Sequence, residues 1–340
     1  MSMKLQSSRG LVGLVGLVVD SIAEKAQKSL VSSLRDQDSY SAASPPYHIT
    51  LLSKAELRGL SKEQLAGLPG DINPESVFNA GIGGDSSIGV FFVVVIWAVG
   101  QQLRKSLNLP PKQFHITLSD RDDHDMDKGI NSLLPGQFPD APSPDFLDHL
   151  AFTLHMAGQY RQEQPFCINL IQALPDSHRG FLRLADAARW TEQYKLSMLS
   201  YACAFQRTAD EKVRGYCVKK LVECSKRTEW ECLFVESELL QLPDKISSML
   251  LAPWPSDLRS LLSDMNIVTS LCLESRERLF VPLQDNLGPI SLDGSFRKLP
   301  RNFRWLIPFH IAIMSTPRCD FCVSHLYDLL TNLIGMRMTL

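Results

Sequence analysis

Neither sign of charge dominates this chain: 340 residues carry 35 Lys and Arg against 37 Asp and Glu, a net charge of −2 at pH 7. That balance excludes the basic footprint of proteins that grip long stretches of duplex. It still allows a nucleic acid that offers a single end to a small cleft. Cysteine is missing from the first 166 residues. The eight that follow lack the spacing of a small secreted, disulfide-linked framework. Cys203, Cys217, Cys224 and Cys232 fall in segments of helical character and are expected to be free buried thiols in a reducing, cytoplasmic setting. Cys319-Asp-Phe-Cys322 has no second pair and no βαβ surroundings to make it a zinc or redox motif. Long apolar runs are scarce as well. Leu11–Val19 follows Lys4 and Arg9 as a signal-peptide core would, but it is short, contains Gly13 and Gly16, and runs into Asp20 instead of a small-x-small site. Val90–Val99 falls short of the roughly 20 residues a membrane span needs, and its Val, Ile, Phe and Trp content predicts a buried strand. No membrane association is expected.

Hydrophobic residues make up 44% of the chain, enough for true cores, and the length suits two domains or three short ones. Residues 1–40 read as an N-terminal helix with a polar tail and linker, closed by the Ser/Pro-rich connector Ser39–Pro46. A strand over Tyr47–Leu52, a helix over Lys54–Gly67, a glycine-rich loop over Asp71–Gly89, the buried strand, a helix over Gly100–Leu107 and a strand over Phe114–Ser119 make residues 41–145 an α+β domain. From about residue 146 to 240 apolar residues recur every three to four positions, predicting helices at 181–190, 196–205 and 213–224. Their Ala, Tyr and Trp content loosely resembles tetratricopeptide hairpins, without a second clean copy at that period. Residues 241–340 are mixed, broken by Pro243, Pro253 and Pro255, with a strand-like stretch at Phe303–Ile313.

The chemistry is carried by a repeat. His-Ile-Thr-Leu occurs at 48–51 and again at 115–118, each time after an aromatic residue, in a chain with only eight histidines. In a strand, alternate side chains share a face. His48 and Thr50 therefore point one way while Ile49 and Leu51 point into the core, and the same holds for His115 and Thr117 against Ile116 and Leu118. Two such strands side by side surround an anion with two imidazoles and two hydroxyls. One neutral histidine can take a proton from water while the other, protonated, gives one to the leaving oxygen. An imidazole pKa near ~6.5 makes the mixed pair accessible, and the threonine hydroxyls can donate to nonbridging phosphate oxygens. This chemistry calls for no metal and no cofactor. A pair of satisfied strand histidines is the plain alternative for either copy taken alone.

Tyr47-His48-Ile49-Thr50-Leu51 and Phe114-His115-Ile116-Thr117-Leu118, about seventy residues apart, resemble the paired motifs of the 2H phosphoesterases. The flanks Ser44–Lys54 and Gln113–Ser119 resemble most closely the 2H domain of fungal "Swiss Army knife" RNA-repair-like proteins. The resemblance covers roughly residues 40–145. It implies a bilobal α+β fold with a pseudo-twofold cleft, one His-x-Thr strand per lobe, followed by an α-helical region. It also implies catalytic His48 and His115, substrate-binding Thr50 and Thr117, and substrates such as 2′,3′-cyclic phosphate RNA ends, cyclic nucleotides or ADP-ribose cyclic phosphate. Tyr47, Phe114 and Arg121 are expected to line the cleft. In similar fungal proteins a dual-specificity phosphatase domain follows, and Arg301–Arg318 resembles its truncated start. The one Cys-x5-Arg spacing, Cys272 to Arg278, lacks glycines and holds two glutamates that would repel phosphate, so phosphatase activity is not expected.

Other motifs yield plainer readings. Gly81–Gly89 precedes a strand and has no following Lys, opposing a nucleotide-cradling loop; it is expected to border the cleft. Asp120–Gly129 fails as a calcium loop, with Lys128 and Leu134 where Gly and Glu are needed, and reads as a solvated acidic loop. His149 and His155, six apart, do not share a face as helical ligands would. The competing function is a non-catalytic scaffold with a degenerate 2H domain, its helical region capturing a protein partner.

Overall fold

The computed structural model describes residues 3–8, 10–33, 40–227, 241–250, 252 and 254–264, together with four short strands between 290 and 313. The chain divides into two units, Met1–Gln159 and Tyr160–Leu340.

Unit one begins with strands where a helix was expected. Met3-Lys-Leu-Gln alternates buried and exposed residues, and Gly10 takes φ +81° between β1 (Met3–Ser8) and β2 (Leu11–Val15). A two-residue turn with glycine at positive φ is a hairpin signal. The expected helix is confined to α1 (Leu17–Ser33), with Val19, Ala23, Ala26 and Leu30 buried along one stripe. β3 (Ile49–Leu52) joins the hairpin, and β4 (Asp71–Ile72) completes an antiparallel sheet of order β3-β2-β1-β4. The helix expected over Lys54–Gly67 is two short ones, α2 (Lys54–Leu57) and α3 (Lys62–Ala66). Ser53 with Glu56 and Ser61 with Gln64 each form a capping box, so the chain starts a helix twice.

The second sheet has the order β5-β6-β7, all antiparallel: β5 (Phe78–Asp85), β6 (Val90–Ile96) and β7 (Phe114–Thr117). β5 lies where a glycine-rich loop was expected. Its glycines serve close packing: a Cβ on Gly81 would stand 2.3 Å from the Gln137 carbonyl oxygen, and one on Gly84 would stand 2.2 Å from that of Val90. Every residue of β6 is buried. Phe91, Val93 and Val95 join Ile49, Leu51, Phe114, Ile116 and Leu118 in the core shared with α1. α4 (Ala98–Ser106) leads from β6 towards β7, and α5 (Pro144–Met156), capped by Ser143, packs near α4 and β6.

Unit two stacks α6 (Tyr160–Ala173), α7 (His178–Trp190), α8 (Tyr194–Gln206) and α9 (Glu211–Ser225), each against the next. α8 is buried almost all round, from Leu196 to Phe205. Gly180 lets α7 approach the Ile171 backbone; a Cβ there would meet it at 2.9 Å. Cys167, Cys203, Cys217 and Cys224 are all buried. Two more helices follow, α10 (Asp244–Leu250) and α11 (Ser256–Asp264), then the two-stranded ladders β8 (Ile290–Ser291) with β9 (Phe296–Arg297) and β10 (Arg304–Ile307) with β11 (Ile311–Ile313). The expected strand at Phe303–Ile313 is thus two paired strands. Cys232, Cys272, Arg278, Cys319, Cys322 and most of the phosphatase-like stretch 301–318 lie outside the described residues. Among the described residues no helix is long and apolar enough to cross a membrane.

Candidate active site

The two His-Ile-Thr-Leu segments run through β3 and β7, neighbouring strands that belong to different sheets. β3 and β7 come within 8 Å at Cα without forming a ladder. The chain entering β3 pairs antiparallel with the chain leaving β7, through an Ala42–Ser119 bridge and an Ala43 N–H that donates to the Leu118 carbonyl at 2.7 Å. The alternation follows the reading of the repeat. Ile49, Leu51, Ile116 and Leu118 are fully buried, whereas Thr50, His115 and Thr117 are half-buried and His48 is exposed.

The two arms have unlike neighbours. On the β3 side, Gly13 of β2 lies opposite Thr50, and a Cβ on it would meet the His48 Cβ at 3.4 Å. Gly13 itself adds no side chain to the His48–Thr50 face. On the β7 side, cross-strand partners share a face: Thr117 lies opposite Phe92, and His115 opposite Val94. The Phe92 ring meets the His115 imidazole edge-on, centroids 5.9 Å apart. The Lys128 ammonium stands 6.0 Å from the same Phe92 ring.

Lys128 is the residue that sequence reasoning missed. It is buried, and its ammonium donates to Asp122 Oδ1 at 2.6 Å and to the Asp123 carbonyl at 2.7 Å. Its own N–H donates to Gln113 Oε1 at 2.8 Å, and Gln113 Nε2 donates to Asp127 Oδ1 at 2.6 Å. The segment Asp120–Gly129 is therefore folded back onto the residue two before His115, more tightly held than the solvated acidic loop expected. Asp122 also pairs with His124 Nδ1 at 3.1 Å. A lone Lys among five aspartates was the available signal, since a buried cation needs a carboxylate partner.

His115 Nδ1 lies 3.2 Å from the Gln113 carbonyl oxygen. A carbonyl can only accept, so this bond requires the proton on Nδ1 and leaves Nε2 as the basic nitrogen. Burial pushes the His115 pKa down; the Gln113 contact opposes this, Lys128 pushes further down, Asp122 opposes, and Lys112 adds to the lowering. The result is about 4. At neutral pH this imidazole is uncharged.

Two residues expected to line the cleft do not. Tyr47 is buried, its hydroxyl 2.9 Å from Gln27 Oε1 and 3.0 Å from the Ala43 carbonyl oxygen. Phe114 is buried against Trp97, ring centroids 4.9 Å apart. Alternation explains both: each lies next to its histidine and so faces the opposite way, into the core. Arg121 is exposed, in the segment held by Lys128. His149 packs its ring on Phe78, centroids 4.9 Å apart, as an aromatic neighbour. Among the described residues no group of three or more His, Cys, Asp or Glu side chains is arranged to hold a metal ion.

No curated protein and no solved structure matches the chain. The family model of the Swiss Army Knife 2H phosphoesterase domain matches residues 13–124. The match begins in β2, upstream of the boundary at residue 41 expected from the motifs, and it encloses α1, both His-x-Thr arms and Asp122. This match supports the 2H phosphoesterase family for residues 13–124, with phosphoester hydrolysis as the activity class.

Proposed function

We propose that the protein is a metal-independent phosphoesterase that hydrolyses cyclic phosphates, at 2′,3′-cyclic phosphate RNA ends or on related nucleotides, in RNA repair or processing. The observation that carries this reading is the proximity of the two His-x-Thr strands, β3 and β7, within 8 Å of each other at Cα. In this reading the two sheets are the lobes of a bilobal fold related by a pseudo-twofold axis, with the phosphate between them.

The chemistry divides between the two imidazoles according to their surroundings. An uncharged His115 with its proton on Nδ1 offers Nε2 to a water molecule and takes a proton as the oxygen attacks phosphorus. The opposite P–O bond breaks, and protonated His48, open to solvent, gives its proton to the departing 2′ or 3′ oxygen. Thr50 and Thr117 donate to the nonbridging oxygens as negative charge grows there. The product is a phosphomonoester, and exchange with solvent restores both protonation states. A near-neutral net charge suits an enzyme that takes one end of a nucleic acid instead of a length of duplex.

The test is hydrolysis of 2′,3′-cyclic nucleotides with chelator present. The wild type turns over, and His48→Ala and His115→Ala each lose most of the rate. Activity that survives both single substitutions contradicts the proposal.

A further inference from the structure

We infer that two polar clasps, one from α1 and one from α4, hold the His48 and His115 arms in fixed register, and that Arg104 is the positioning residue of the second clasp. The inference rests on the phosphoesterase reading for its catalytic meaning, but not for its geometry.

Each arm is tied at both ends, and each helix takes one end of each arm. From α1, Asp20 Oδ1 accepts the Tyr47 N–H at 3.1 Å, at the start of the first arm. Gln27 Nε2 lies 3.0 Å from both the Ala43 and the Leu118 carbonyl oxygens, the latter at the end of the second arm. From α4, Arg104 Nη1 donates to the Leu51 carbonyl at 2.6 Å, at the end of the first arm, and Nε donates to the Pro110 carbonyl at 2.8 Å. Gln101, one turn earlier on α4, donates to the Lys112 carbonyl at 2.6 Å and accepts the Lys112 N–H at 3.1 Å. These last bonds fix the approach to the second arm. All of them end on main-chain groups, so they hold strand position whatever the side chains do. A slide of one arm past the other breaks bonds at both helices.

Arg104 suits the task by its shape. Its side chain is 2% exposed, and a planar guanidinium holds its donors in a rigid fork, with Nε, Nη1 and Nη2 each aimed at a separate acceptor, where an ammonium would donate from a single atom. The third direction is Glu56, whose Oε1 lies 2.6 Å from Nη2. Glu56 also accepts the Ser53 N–H at 2.7 Å and stands 3.7 Å from Lys112 Nζ. One carboxylate thus neutralises the buried cation and closes the capping box of α2 immediately after the first arm. A lysine in place of Arg104 would keep the charge and lose the fork.

The experiment compares Arg104→Lys and Gln101→Ala with wild type, using turnover of a 2′,3′-cyclic nucleotide and amide hydrogen exchange in segments 47–52 and 114–119. Misplaced reacting groups cost up to about a hundredfold. We expect kcat to fall about tenfold or more in Arg104→Lys, with KM within about twofold, at temperatures where circular dichroism shows the variant folded. Exchange should rise in both arms together and stay unchanged in α7 and α8. If Arg104→Lys does not fold, the milder Gln101→Ala carries the same two expectations. Unchanged exchange in either arm, or a loss of rate matched by the unfolded fraction, overturns the clasp. An inactive wild type whose arms loosen as expected removes the phosphoesterase reading and leaves the clasp standing.

Discussion

His48 is exposed at the head of β3 beside the bare backbone of Gly13, whereas His115 is half-buried on β7 against Phe92, with the Lys128–Asp122 pair nearby. The two segments share four identical residues and the same alternation into the core. Their difference comes wholly from what packs around them. Burial and the nearby Lys128 charge lower the His115 pKa, whereas His48 lies exposed at the surface. In the proposed mechanism this asymmetry assigns the base to His115 and the acid to His48.

The most damaging way to probe the comparison is to remove either imidazole. His48→Ala and His115→Ala should each cost about 10²- to 10⁴-fold in kcat on a cyclic nucleotide. The comparison sharpens with a p-nitrophenyl phosphodiester, whose leaving group needs no proton. There His48→Ala should recover most of its loss, and His115→Ala should not. Equal losses on both substrates would refute the division of roles. Removing a hydroxyl is a smaller insult: Thr50→Val and Thr117→Val should each cost about 10- to 100-fold, the range for a hydrogen bond to a charged group, read as kcat at saturating substrate.

The environment of His115 can be edited without touching the imidazole. Its folded pKa, about 4, lies below the ordinary 6.5, so the acid limb of kcat/KM should fall well below the usual histidine range. Lys128→Met removes a lowering charge and its ion pair with Asp122, which raises the His115 pKa, so that limb should move up. Asp122→Asn should move it down. The same depression sets the sign for stability: the unfolded state binds the extra proton between pH 6.5 and 4, so His115 makes the fold less stable as pH falls through that window. His115→Gln should flatten that part of a pH–Tm curve.

Glu56 gives a stability signature of the same sign at lower pH. Burial opposes its charge, but the Arg104 and Ser53 hydrogen bonds and the Lys112 charge outweigh this and lower its pKa from 4.5 to about 2. Its contribution is present above pH 4.5 and lost as pH falls towards 2. Glu56→Gln should cost about 3 kcal/mol at pH 7, because Arg104 stays buried without its counter-charge, and the difference from wild type should shrink in acid. The smallest expected effect lies in unit two. Burial pushes Cys203 up to about 11 and Cys217 up to about 12. Mass-spectrometric mapping of native alkylation should find both almost unmodified at about pH 8.

How far the sequence reveals this molecule depends on which physical signal each part uses. The arms are legible because strand alternation is local: His48, Thr50, His115 and Thr117 could be assigned to one side from four residues each. The same rule, applied to Tyr47 and Phe114, would have sent them into the core, where they are. The β1–β2 hairpin was obscured because its apolar residues run straight into α1, with Arg9-Gly10 as the only turn signal. β5 was obscured by glycines that permit close packing in a strand rather than flexibility in a loop. Lys128 left one faint signal, a lone Lys among five aspartates, and Arg104 left none. Each is an ordinary basic residue until the fold buries it beside a carboxylate, and such partners are set by tertiary contact instead of local pattern.

The central claim is that His48 and His115 serve one phosphate, and histidine NMR during titration with a 2′-nucleotide product tests it most directly. With 13C-labelled imidazoles, the account predicts that the His48 and His115 ring signals move together, with a single dissociation constant and a 1:1 end point, and that substituting either histidine weakens the response of the other. Movement of one ring alone, or two rings saturating at different concentrations, would contradict it.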